Sequence, residues 1–374
     1  MSMRLVIAEE KIDLRCDDER LRTNVRRLLE PAFFGPGDDS SAAAIVELFV
    51  GTFVAPALDR DRPWRMPPVL LFDETLEGAL RILEHDGRIS RLLREPERDG
   101  VPLLVHVDRE HNRWKVESPS SDLAAARSIA RLLKYLMGCL LVKRGCAMLH
   151  TSCVEDRGRG IMFFGPKGGG KTSFMFHACT KAGATLVSDD ELVAWSDREG
   201  RVRCSGWPRR VGIPLSVLTE PERCREVARA RFRRDDAVPP GWVEQCGDHQ
   251  PPESRQRLMM DTDELLSVFS IDYRHAVSPG LLVALRARPE LGGGWRMRPG
   301  PAVDVSELSV ELKQLKLYVD YLGITPSPLG PPCRSTLQES FSELTVVTLE
   351  YGLESFACFS PMWAELLEHH GASA

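Results

Sequence analysis

This sequence predicts an α/β protein with two domains, and three observations predict it. The chain has 374 residues, and at about 150 residues per domain that is material for two. Hydrophobic residues make up 43% and charged residues 28%, a balance that buries a core without disulfide or metal support. Near the middle, an apolar strand pattern, a glycine-rich turn, a helical pattern and a second strand pattern follow one another. That order is a parallel βαβ unit.

The elements follow in chain order. Ile12–Cys16 alternates like a strand, and Asp17-Asp18-Glu19 opens a helix over Leu21–Leu29. Phe34–Asp39 is a loop, Val69–Phe72 a buried strand, and Thr75–Leu93 helical in period. Leu103–Val107 and Arg113–Val116, on either side of Asp108–Asn112, suggest a hairpin. Residues 1–118 are therefore expected to be a separate α/β domain for docking or packing, with no chemistry standing out. Ser118–Asp122 is the expected boundary, because Asp122 caps a helix over Leu123–Val142.

Residues 119–374 form the second expected domain. Ala147–Val154 reads as a strand carrying His150, Ile161–Phe164 as a buried strand, Thr172–Ala182 as a helix and Thr185–Ser188 as a strand. Beyond them come a basic helix over Pro221–Arg234, an exposed loop over Ala237–Arg257 and an amphipathic helix over Val305–Leu322. A proline-rich turn over Pro326–Pro332 precedes a late strand, Leu344–Leu349.

Charge and patterning exclude several classes. The net charge is −5, the wrong sign for a protein that wraps nucleic acid. Leu123–Val142, the best apolar window, carries Arg127, Arg131 and Lys134, so no membrane span is expected. The start, Met1–Glu10, turns acidic before a signal-peptide core develops. Ten cysteines without a Cys-x-x-Cys pair suit thiols kept reduced, and a cytoplasmic location is expected. Oligomeric state, a homo-oligomer included, stays open.

Gly165-Pro166-Lys167-Gly168-Gly169-Gly170-Lys171-Thr172 fits the phosphate-binding pattern G-x-x-x-x-G-K-[ST] at every specified position. Glycines let backbone N–H groups turn toward phosphate oxygens with no Cβ in the way. The helix that follows directs its positive end at the same anion. Lys171 is placed for the β- and γ-phosphates and the Thr172 hydroxyl for Mg²⁺. The only asparagines, Asn24 and Asn112, lie in no guanine-reading Asn-Lys-x-Asp motif, which favours ATP.

Ser188-Asp189-Asp190-Glu191 ends the strand after the phosphate-loop helix. In a parallel α/β sheet ligands sit beyond the carboxyl ends of strands, so Asp189 and Asp190 project near the phosphates. Carboxylates there hold Mg²⁺ or accept a proton from an attacking hydroxyl. The competing reading is a solvated acidic turn or an N-cap. His150 alone is more often a core histidine than a catalyst. A metal site from Cys146, His150 and Cys153 is rejected, because along one strand His150 and Cys153 face opposite sides.

Together, Leu149-His150-Thr151, Gly165–Thr172 and Gly183–Asp190 resemble the catalytic domain of the HPr kinase/phosphorylase family. They also resemble the related kinases of peptide natural-product maturation, lasso-peptide tailoring kinases among them. In that family a histidine stands fifteen residues before the first loop glycine, as His150 stands before Gly165, and an Asp-Asp pair follows the loop helix. The resemblance covers roughly residues 145–215. It implies a P-loop sheet of the HPr kinase and phosphoenolpyruvate carboxykinase type, and Mg²⁺-dependent phosphoryl transfer from ATP to a serine hydroxyl of a peptide or small protein. By the same resemblance, Asp189 or Asp190 is the base at the acceptor hydroxyl, and the other positions metal or His150. Thr172 and Asp190 are the expected metal ligands. The family's Glu-x-Arg-Gly-x-Gly signature appears only as Pro208–Ile213, which favours Arg210 over Arg209 as the catalytic arginine and leaves HPr itself and the reverse reaction unimplied.

Other features read more simply. Arg225, Arg229 and Arg233 fall on one helical stripe that holds phosphate or, more often, faces solvent. Trp207 and Trp242 are better explained by packing than by a ligand clamp. Two rivals to a peptide kinase stand: an ATP-binding switch without transfer, and a kinase of a small hydroxylated metabolite.

Overall fold

The computed structural model describes residues 2–34, 41–51, 81–85, 88–93, 101, 103–108, 111–214, 217, 257–308 and 334–371. Two compact units are present: Met1–Ala147 with Ser309–Thr336, and Met148–Leu308 with Leu337–Ala374.

In the first unit, β1 (Ser2–Ile7), buried over its last three residues, pairs antiparallel with β2 (Glu10–Cys16). Asp18 caps α1 (Glu19–Leu29) by accepting from the Leu21 N–H, and the stripe Leu21, Val25, Leu29 is buried. β3 (Ala44–Val50), β6 (Leu104–Asp108) and β7 (Arg113–Ser118) complete a five-stranded sheet in the order β1-β2-β3-β7-β6. The expected hairpin is β6–β7, paired antiparallel. The expected helix Thr75–Leu93 is not formed in its described part. β4 (Arg81–His85) and β5 (Arg88–Leu93) pair antiparallel instead. Asp86-Gly87 between them is the sequence signal for a two-residue hairpin, and it outweighs the helical period. α2 (Leu123–Arg144) begins at the Asp122 cap as expected and ends on Gly145 in the left-handed region, at φ 88°. It packs on α1 and β2 within the first unit, although the sequence assigns it to the second domain.

The chain then enters the second unit. The expected strand Ala147–Val154 is broken: β8 (Ala147–Leu149) and β9 (Ser152–Asp156) belong to different sheets. The His150 N–H bonds the Leu308 carbonyl between them, so the backbone leaves one sheet to join another. The opposite-faces argument used against a metal at His150 and Cys153 therefore loses its premise. β10 (Arg159–Phe164), α3 (Lys171–Ala182) and β11 (Thr185–Ser188) form the expected strand–helix–strand. β9 lies between the two strands and antiparallel to both, so β10 and β11 run parallel without touching. β12 (Leu192–Ser196) and β13 (Val202–Gly206) make a three-stranded sheet with β8. β14 (Val211–Pro214) pairs with β15 (Arg257–Met260), which leads into α4 (Thr262–Phe269).

β16 (Pro279–Ala287) and β18 (Thr345–Tyr351) continue the main sheet parallel to β10, and β17 (Trp295–Pro299) closes it antiparallel. The order is β11-β9-β10-β16-β18-β17. The described part of Val305–Leu322 is one helical turn, Val305–Leu308. Late helices are α5 (Arg334–Ser342) and α6 (Phe359–Gly371). The residues of Val69–Phe72, Pro221–Arg234, 237–256, 309–322 and Pro326–Pro332 lie outside the described residues, and Phe34 is the only described one of the Phe34–Asp39 loop.

α3 is buried on several sides because its apolar residues meet both the sheet and α6. Phe174 packs edge-on against Tyr351 and Phe356, and Phe163 and Phe359 pack on Trp363. His177 sits among these rings, against Phe356 and Phe359, with Nδ1 buried and unpartnered. Burial pulls its pKa down to about 3, helped by the Lys181 charge. Between pH ~6.5 and ~3 the unfolded histidine binds a proton that the folded one refuses, so stability falls as pH drops through that window. The slope approaches ~1.4 kcal/mol per pH unit. His177→Phe keeps the ring packing and should flatten the acid limb of a melting-temperature profile. An unchanged limb would clear His177 of this role.

Candidate active site

Strand direction brings the sequence-predicted residues together. β9 runs against its neighbours, so Ser152 at its start pairs with Phe163 near the end of β10, and Cys153 pairs with Ser188 at the end of β11. The segment from His150 to Ser152, the glycine loop and the acidic turn therefore meet at one end of the sheet.

The loop needs its glycines. Gly165, Gly168 and Gly170 have φ of 145°, 82° and 86°, a region costly for residues with a Cβ. A Cβ on Gly165 would stand 2.8 Å from the Leu285 carbonyl oxygen, and one on Gly170 would collide with the Tyr351 hydroxyl. That hydroxyl donates to the Gly169 carbonyl at 3.1 Å. Because the peptide is trans, holding this carbonyl turns the Gly170 N–H the opposite way. Gly170 caps α3 without any side-chain bond, which leaves the first-turn amides for an anion. The Lys171 ammonium donates to the Gly165 carbonyl at 3.0 Å. Burial lowers its pKa, against the charges of Asp190 and Asp189, which raise it.

The two adjacent acids have different surroundings. Asp189 is buried, and its Oδ1 accepts from Ser152 Oγ at 2.7 Å and from Thr172 Oγ1 at 3.0 Å. Burial pushes its carboxyl above the usual range, Asp190's charge adds to the rise, and the two hydroxyls oppose it. Asp190 is partly exposed. Its Oδ1 lies 3.2 Å from His150 Nδ1, and its Oδ2 lies 2.8 Å from Arg209 Nη1. Its backbone is left-handed, at φ 69°, a conformation that Asp and Asn tolerate best among residues with side chains. The turn is held by the Glu191 N–H on the Asp189 carbonyl and by a Ser188 hydroxyl bond to the Glu191 carbonyl.

Two expectations change here. The sequence pairs Thr172 with Asp190 at the metal, but the threonine hydroxyl meets Asp189, because Asp190's left-handed backbone aims its carboxylate the other way. It also favours Arg210, whose guanidinium is turned to Asp261 at 3.3 Å and to the Met259 carbonyl. Arg209 is the arginine at the acids, shared by Asp190 and by Glu191 at 2.6 Å. His150 is no core histidine, since 44% of its side chain is exposed. Trp207 is buried; Trp242, Arg225, Arg229 and Arg233 lie outside the described residues.

Ser152, Glu191 and Tyr351 escape sequence reasoning. A serine inside an apolar strand signals nothing by itself, and Tyr351 reaches the loop from 182 residues away. The groups present suit a magnesium nucleotide: Thr172 Oγ1 and Asp189 are the hard oxygen donors that Mg²⁺ takes, beside a glycine loop open to phosphate.

No family model and no curated protein matches the chain. Among solved structures it is similar to the Hpr(Ser) kinase/phosphatase from Coxiella burnetii, at 9% identity and a TM-score of 0.26, over 60% of this chain and 94% of that one. Identity and score at that level do not assign the chain to a family.

Proposed function

We propose that this chain is an ATP- and Mg²⁺-dependent kinase that transfers the γ-phosphate to a hydroxyl, with a serine of a peptide or small protein as the acceptor. A peptide natural-product pathway is the setting that the sequence resemblance suggests. The observation that carries the reading is the division of labour between adjacent acids: Asp189 on the Thr172 hydroxyl, Asp190 on His150 and Arg209. An ATPase switch needs only a positioned water. The second, more exposed acid beside a histidine is what a hydroxyl acceptor requires.

Bound Mg-ATP supplies the electrophilic γ-phosphorus and a good leaving group. Glycine-loop amides and Lys171 would hold its phosphates, and Thr172 and Asp189 would hold the Mg²⁺. Asp190 takes the acceptor's hydroxyl proton as its oxygen bonds to phosphorus and the β–γ bridging bond breaks onto ADP. His150 orients the Asp190 carboxylate. Arg209 leaves Asp190 for the incoming negative charge while Glu191 keeps hold of it, which frees the base only when the nucleotide is present.

The test is incubation with γ-labelled ATP, Mg²⁺ and candidate serine peptides, followed by mass spectrometry. One added phosphate on the peptide is the expected product. Release of label to water alone, whatever acceptor is offered, returns the switch reading; label on small hydroxylated metabolites alone returns the metabolite kinase. His150→Ala should slow transfer more than it weakens nucleotide binding. Unchanged turnover per folded molecule would make this histidine structural.

A further inference from the structure

Ser152 belongs to no phosphate-loop pattern, yet it touches both acids. It is fully buried at the start of β9. Its hydroxyl donates to Asp189 Oδ1 at 2.7 Å and accepts the Asp190 N–H at 3.4 Å. A hydroxyl has one proton to give and lone pairs to receive, so both bonds form at once. The first fixes the Asp189 carboxylate where Thr172 Oγ1 reaches it. The second, long for a hydrogen bond, tethers the Asp190 peptide in its left-handed turn, and that turn sends the Asp190 carboxylate to His150 and Arg209. Ser152 also lies two residues after His150, so one short segment carries the histidine and the clasp.

Resting on the kinase reading above, we propose that Ser152 is the positioning residue that couples the two acids, aiming Asp189 at the metal side and Asp190 at the acceptor side. It touches no reacting atom itself. Its influence runs through the orientation of two carboxylates, one by a side-chain bond and one by a backbone bond. Losing such a supporting partner commonly costs 10- to 100-fold in metal affinity or activity.

The experiment compares full-length wild type with Ser152→Ala and Ser152→Cys. The cysteine variant fills the space with a weak donor and carries the comparison should the alanine variant fail to fold. Two quantities are read: kcat for transfer, and the Mg²⁺ concentration that half-restores binding of ADP by calorimetry. Each variant should lose kcat by roughly 10- to 100-fold and need about 10-fold more Mg²⁺ for ADP binding, with melting temperature near wild type. In the Asp190→Asn background, adding Ser152→Ala should cost less kcat than it does alone, because the share that runs through Asp190 is already lost, while the Mg²⁺ requirement set through Asp189 should still rise about 10-fold. Wild-type kcat and Mg²⁺ dependence in the variants overturn the proposal, and so does a lower melting temperature with both unchanged. Wild-type protein that binds Mg-ADP but phosphorylates nothing overturns the kinase reading alone, and the ADP-binding arm still judges Ser152.

Discussion

Asp190→Asn should leave nucleotide binding near wild type while cutting phosphoryl transfer by at least ~10²-fold, the scale of a lost general base. Asparagine copies the shape of aspartate and accepts the left-handed backbone at φ 69°, so the turn survives. Arg209 keeps Glu191 as a partner. What disappears is the anion that accepts a proton. Asp189→Asn should behave differently, since its carboxylate meets the Thr172 hydroxyl: Mg²⁺-dependent nucleotide binding should weaken together with transfer. Mg²⁺ titrations of binding and of single-turnover transfer separate the two. Normal transfer by both variants would reduce the pair to an acidic turn, and the opposite pattern would exchange their roles.

Lys171→Ala is the second large effect. Removing one preorganised charge from a transferring phosphoryl group costs ~10²–10³-fold in rate, and nucleotide turnover should fall at least that far. The fold should not suffer. The ammonium is buried at a cost visible in its lowered pKa, so the melting temperature should hold or rise. Near-wild-type turnover by a folded Lys171→Ala protein would remove the basis of the nucleotide reading.

What was legible in the sequence was local. The Asp18 and Asp122 caps, the loop glycines and the apolar strands on either side of α3 follow from neighbours in the chain. Failures came where distant or competing groups decide. Thr75–Leu93 has a helical period, but its described residues pair as two antiparallel strands. Arg209 and Arg210 are adjacent and chemically alike, and the positions of Asp261 and the Met259 carbonyl draw Arg210 away. Asp189 and Asp190 likewise need the backbone angle between them before their roles part. Ser152 needed the register of β9 against β11 to gain meaning.

The Tyr351 bond to the glycine loop carries a consequence for biosynthesis. A ribosome releases Gly165–Thr172 long before the residues that complete their setting: β16 begins at Pro279, and β18 ends in the tyrosine itself. A nascent chain that stops short of that strand holds the loop without its clasp, with Phe174 missing the rings of Tyr351, Phe356 and Phe359 from its packing. On the kinase reading proposed above, ATP would meet a clasped loop only after Tyr351 has been made. Any stabilisation that a bound nucleotide brings by mass action would then accrue to chains that already carry β18 and not to shorter nascent ones.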